Sequence, residues 1–133
     1  MKIITRQELM KLKTPFIFSN YTTGSLEGLY QCFEIMKSDF CVVNLLNEII
    51  PKLNFEDAET MQKYRKKMEH WSSGDRMDLA YEMEKGIEFE LDLECGGREG
   101  LFDDNMKYAL YDKSDLLKLI NKLQEIYIRK YDV

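Results

Sequence analysis

The densest chemistry in this chain lies between Glu88 and Asp104. Seven acidic residues (Glu88, Glu90, Asp92, Glu94, Glu99, Asp103, Asp104) occur there with a single basic one, Arg98. The stretch therefore carries more negative charge than the whole chain, whose formal net charge is −5. From Glu88 to Glu94 the pattern alternates, with Phe89, Leu91 and Leu93 on one face and the four carboxylates on the other, as in a strand with one buried and one wet side. Alternate side chains on a strand sit about 6.6–6.8 Å apart, so those carboxylates repel one another unless water or a partner relieves them. Three uses fit such a face. It can be a solvated surface that discourages edge pairing. It can be an interaction surface for a basic partner, for which charge complementarity speeds encounter and sets register. It can hold a hard divalent cation, although no calcium-loop spacing is present.

A second candidate follows directly. Gly96, Gly97 and Arg98 lie in the glycine-rich loop Cys95–Gly100, and consecutive glycines after a strand can form a nest of amides that holds a phosphate. The segment is neither a dinucleotide fingerprint nor a P-loop, so a plain turn competes with that reading. If a nucleotide binds, these three residues are the candidates for holding it.

Other chemistries find little support. His70 is the only histidine and no G-x-S-x-G elbow exists. Cys32, Cys41 and Cys95 lack the close pairing of a zinc site and read as small buried hydrophobes in a reducing compartment. No cofactor or metal is expected. The acidic balance disfavours direct nucleic-acid binding, which depends on cationic side chains meeting phosphates. The basic run Lys63, Arg65, Lys66 and Lys67 is matched by four nearby acids and reads as a solvated helix face. No apolar run approaches the roughly 20 residues of a membrane span. The N-terminus turns polar too soon for a signal peptide, so a cytoplasmic location is expected.

The elements that must carry these residues are those of an α+β domain. Thr5 and Glu8 make a capping box for a short helix, which ends before Thr14–Pro15 because a residue preceding proline avoids helical angles. Aromatic and β-branched residues mark strands at Phe16–Tyr21, at Leu29–Ile35 and from Phe40 onward. A helical stripe of Ala58, Met61, Tyr64, Met68 and Trp71 predicts a long helix over 55–71, and a shorter one follows over 77–85. A last strand, Lys107–Tyr111, leads to a helix over 114–131 with Leu116, Leu119, Ile120, Leu123, Ile126 and Tyr127 on its apolar face. Strands and helices are grouped rather than alternating. The expected architecture is one domain: an antiparallel sheet of four to five strands with helices packed on one face. Exposed edges and abundant aromatics leave a homodimer open, although no heptad seam argues for one.

Two stretches carry a resemblance. Ile4-Thr5-Arg6-Gln7-Glu8-Leu9 and Gly97-Arg98-Glu99-Gly100-Leu101-Phe102-Asp103-Asp104, the latter leading into Tyr108-Ala109-Leu110-Tyr111-Asp112, resemble small uncharacterised accessory proteins of bacteriophages and prophages of low-GC bacteria. The resemblance implies a context rather than an activity: a small phage protein acting against host defence. The leading expectation is a non-enzymatic inhibitor, such as an anti-CRISPR, that binds a host protein with a basic nucleic-acid-binding surface. Its contacts would be Glu88, Glu90, Asp92, Glu94, Asp103 and Asp104. The alternative is a small-molecule binder that sequesters a nucleotide signal through Gly96, Gly97 and Arg98.

Overall fold

A computed structural model describes residues 1–46, 52–53, 84–86, 89–91, 93–94 and 96–131 of the chain. Contacts group the chain into two compact units, one made of Met1–Leu46 with Glu94–Val133 and the other of Asn47–Leu93. The expected helices over 55–71 and 77–85 lie in the second unit and, apart from Glu84 and Lys85, outside the described residues. What is described of that unit is a two-stranded ladder of β5 (Lys52–Leu53) and β6 (Phe89–Glu90), pairing Lys52 with Glu90 and Leu53 with Phe89.

The first unit is built on a six-stranded antiparallel sheet. Its strands are β1 (Lys2–Thr5), β2 (Phe16–Thr22), β3 (Ser25–Ile35), β4 (Phe40–Asn44), β7 (Gly96–Arg98) and β8 (Lys107–Leu110), in the spatial order β1-β8-β2-β3-β4-β7. The antiparallel α+β class is as expected, with more strands than the sequence suggests. Helix α1 (Arg6–Leu9) follows β1, and helix α2 (Lys113–Tyr131) ends the chain. No helix among the described residues is long and apolar enough to cross a membrane.

Aromatic side chains from neighbouring strands meet on one face of the sheet because paired residues share a face. Phe18 packs against Tyr30 and edge-on against Tyr108, each with ring centroids 5.3 Å apart, and Phe40 meets both Phe18 and Tyr108 at 6.0 Å. Edge-to-face geometry suits the quadrupoles of these rings. Ile4, Leu9 and Cys32 complete the buried cluster. Burial pushes the Cys32 thiol up to about 11, so it behaves as an inert apolar side chain. Cys32 and Cys41 are both free and buried, and the register pairs them with Val42 and Glu34 rather than with each other.

The ladder is irregular between Phe18 and Asn20 and again between Cys32 and Glu34. Bulges of this kind increase local twist and bend a strand, and the sheet curls. A flat sheet would hold β1 and β7 about 24 Å apart, five spacings of roughly 4.8 Å. Arg6, directly after β1, nevertheless reaches Glu99, directly after β7, with Nε to Oε2 at 3.9 Å. The ends of the two edges are drawn together at one end of the sheet.

On the opposite face the Ser19 hydroxyl donates to the Gly28 carbonyl at 2.6 Å and lies 2.8 Å from the Tyr111 hydroxyl. Helix α2 leaves from there. Its start is tied by reciprocal bonds, the Asp115 amide donating to the Asp112 carboxylate at 2.8 Å and the Asp112 amide to that of Asp115 at 2.9 Å. The N-terminal amine joins them, 2.8 Å from Asp115. Beyond that start the helix differs from expectation. None of its residues is buried, and Ile120, Leu123, Ile126 and Tyr127 are all more than half exposed.

Candidate functional site

The site is organised by Arg6. Thr5 caps α1, its hydroxyl accepting from the Glu8 amide while the Thr5 amide donates to the Glu8 carboxylate, each at 3.2 Å. That capping box fixes the direction in which the next residue leaves the strand. Arg6 consequently points inward and is only 7% exposed. Its guanidinium donates to the Ser38 carbonyl at 2.9 Å. It stands 3.7 Å from Asp39, 3.9 Å from Glu99 and 3.7 Å from Asp104. The planar head also lies over Phe40 at 5.7 Å and Phe102 at 5.8 Å from the ring centroids. A buried arginine tolerates this position because several carboxylates and two aromatic faces replace its water.

Asp39 closes the turn between β3 and β4 and is fully buried. Its carboxylate accepts from its neighbour's amide, Phe40, at 2.8 Å and from the Gly100 amide at 3.2 Å, with Arg98 Nε at 3.4 Å. Burial alone would raise its pKa. The two amides and Arg98 outweigh that and hold the carboxyl below the usual carboxylate range. Asp39 thus pins the segment that follows β7.

Glu99 shows the opposite balance. Burial pushes its carboxyl above the ordinary range, although the charge of Arg6 pulls it down. Neither of its oxygens has a hydrogen-bond partner, and the same is true of Arg6 Nε and the Tyr108 hydroxyl. Burial and the nearby Glu99 charge also raise the Tyr108 pKa. Among the described residues, every buried side-chain polar atom left unpaired belongs to this one cluster. These atoms lie together around Arg6, whose charge rather than close hydrogen bonds offsets part of their burial.

Above it runs the segment Gly100–Asp104. Gly100 has a φ of +72° and Phe102 one of +51°, the latter in a region that non-glycine residues seldom occupy. Leu101 is 62% and Phe102 54% exposed. Asp103 braces the turn by accepting from the amide of Asn105 at 2.9 Å and, through its carbonyl, from that of Met106 at 3.1 Å. Two apolar side chains are thereby held outward beside two exposed carboxylates, on a mount tied to Asp39 and Arg6.

The sequence-predicted residues are dispersed. Glu88 and Asp92 lie outside the described residues, as do Cys95 and His70. Glu90 sits in β6, opposite Lys52. The strand expected over 88–94 is described only at Phe89–Glu90, while Leu91 and Leu93, expected to be buried, are 68% and 43% exposed. Alternation alone does not bury a face unless another layer covers it. Glu94, Asp103 and Asp104 belong to the first unit and are exposed.

Gly96 and Gly97 are extended and paired with Val43 and Val42, a conformation unlike the alternating backbone of an anion nest. Gly96 is required for packing: a Cβ there would lie 2.7 Å from the Phe33 ring and 2.8 Å from the Val42 carbonyl oxygen. Arg98 is 62% exposed and ion-paired with Asp39. Among the described residues no group of three or more histidine, cysteine or acidic side chains is placed to hold a metal.

Arg6, Asp39, Leu101 and Phe102 were not singled out as functional by sequence reasoning. The signal for Arg6 was its place just after the capping threonine. The Leu-Phe pair between a glycine and two aspartates was visible as an apolar interruption of the acidic stretch.

No family model, curated protein or solved structure matches the chain.

Proposed function

We propose that this chain is a non-enzymatic binding protein that docks on a host protein and inhibits it, a phage-encoded counter-defence factor of the anti-CRISPR kind. The observation that carries the reading is the segment Leu101–Asp104. Two exposed apolar side chains stand beside two exposed carboxylates on a backbone pinned from below. Interfaces draw most of their energy from a few apolar anchors seated in pockets, and pre-ordering the anchors lowers the cost of binding. The adjoining carboxylates suit a partner whose pocket is rimmed by lysine and arginine, as nucleic-acid-binding surfaces are. Glu94 adds to that charge on the same unit.

The test is capture from the native host with the tagged full-length chain, followed by mass spectrometry of retained proteins and of small molecules released by heat. A stoichiometric host protein, displaced by salt and lost with Phe102→Ala and Asp103→Lys, supports the reading. Undiminished capture by both variants would remove this segment from the account. A released nucleotide with no protein would favour the nucleotide-sequestering alternative instead.

A further inference from the structure

Helix α2 presents an apolar arc that nothing in its own unit covers, and this surface is independent of the Leu101–Asp104 segment. We propose that α2 pairs antiparallel with the α2 of a second copy of this chain. Leu116, Ile120, Leu123, Tyr127 and Tyr131 follow one another at steps of four, three, four and four, which places them in one stripe along the helix. Of that stripe, Ile120, Leu123, Tyr127 and Tyr131 are each between 58% and 69% exposed. Side chains of this size, so exposed, amount to on the order of 450 Å² of apolar surface. That is the size of the largest patch of a typical monomer, about 300–600 Å² and often functional, and two copies together approach the roughly 1,000 Å² that a specific interface needs.

A second copy is favoured by how the two ends of the helix complement each other. At its start, α2 and β2 form an apolar cleft of about 400 Å³ lined by Pro15, Phe16, Ile17, Tyr111, Leu116 and Ile120, among others. At its end, Tyr127 and Tyr131 stand exposed with their rings 5.3 Å apart. A two-fold axis near Leu123 and Gln124 sets Ile120 opposite the partner copy's Tyr127, and Leu116 opposite its Tyr131. Each cleft then receives a tyrosine from the other copy. Antiparallel pairing also sets the two helix dipoles against each other, the favourable direction. Parallel pairing would stack the basic ends. Glu125, held by Lys122 at 3.9 Å and Arg129 at 3.2 Å, lies on the polar side away from the stripe. The same patch is less suited to an anionic membrane, because the chain as a whole carries −5 and would be repelled.

The mass of the full chain in solution tests the proposal, measured by light scattering after gel filtration at micromolar concentrations. The expected value is about twice the 15.8 kDa of one copy. Ile120→Glu and Leu123→Glu should each return a monomer with a wild-type circular dichroism spectrum, since neither side chain belongs to the buried cluster, and a melting temperature that no longer rises with protein concentration. Direction is read by oxidation: Leu123→Cys, beside the two-fold axis, should crosslink above the wild-type background, and Tyr131→Cys should not. A monomeric wild-type chain overturns the proposal, as does a dimer surviving both glutamate variants. Crosslinking through position 131 overturns the antiparallel arrangement. A monomer that sediments with phosphatidylglycerol vesicles, or that is retained only by a different protein, assigns the arc to that occupant instead.

Discussion

Arg6 and Glu99 stand 3.9 Å apart although they follow strands at opposite edges of a six-stranded sheet. Their approach ties the curl of the sheet to the mount of the exposed Leu101–Phe102 pair, because Asp39, which faces Arg6, also accepts from the Gly100 amide.

Removing Arg6 should therefore do more than delete a surface charge. Arg6→Met leaves Asp39 and Glu99 buried with less compensation, a situation that typically costs about 3–5 kcal/mol. Urea denaturation should show a lower midpoint. Arg6→Lys should recover part of the loss, since a single ammonium cannot reproduce the fork that reaches Ser38 and three carboxylates. Equal stability of Arg6→Met and wild type would refute a stabilising role for the contacts of Arg6 with Ser38, Asp39, Glu99 and Asp104.

Glu99 and Asp39 predict opposite responses to pH. The folded-state pKa of Glu99 is raised above its ordinary 4.5, so the folded state binds more protons than the unfolded one as pH rises from there. Stability should fall across that interval. Asp39 is lowered from 3.8, so its contribution is present above that pH and lost as pH falls through its depressed folded value. Denaturation series at successive pH values should show the first decline in the wild type and its absence in Glu99→Gln. A Glu99→Gln profile as steep as wild type above pH 4.5 would contradict this account.

The two adjacent glycines of β7 should behave differently. Gly96→Ala places a methyl group 2.7 Å from the Phe33 ring and 2.8 Å from the Val42 carbonyl oxygen. Overpacking of that kind costs about 1–3 kcal/mol. Gly97→Ala meets nothing within 4 Å and should change thermal stability little. Comparable losses at both positions would mean that the pairing of β7 with β4 is not as described.

Phe102 should show a trade between stability and binding. Its φ of +51° costs a non-glycine residue about 1–2 kcal/mol, which Phe102→Gly relieves while deleting the ring that faces Arg6 and the proposed partner. Melting temperature should hold or rise, and capture of the host protein should drop at least tenfold. A variant that captures as well as wild type would show that the ring is not an anchor.

Capping is the most local of these effects. Thr5→Ala should cost about 0.5–2 kcal/mol, read from the denaturation midpoint, and should also loosen Arg6, whose direction the cap sets.

Local structure in the first unit is legible in the sequence wherever its cause is local. The Thr5–Glu8 box, the strands at Phe16–Thr22 and Phe40–Asn44, and the helix after Tyr111 depend on neighbours within a few residues, and each is present. The reciprocal Asp112–Asp115 cap could have been read in the same way, from two aspartates three apart. Strand β1 was missed because four residues leave too short a pattern to register alternation, and its pairing with β8 is decided more than a hundred residues away.

Burial, in contrast, follows from the assembled fold. The apolar stripe of α2 has the spacing of a packed helix and yet stands open, because periodicity states which residues share a face and not whether anything covers it. The acidic alternation over 88–94 has the same weakness: Leu91 and Leu93 are exposed. Arg6, an ordinary surface residue type, is buried instead. Its burial depends on Asp39, Glu99 and Asp104 converging from loops 33 to 98 residues away, and a long-range sum of charge and desolvation has no periodic signature in the chain.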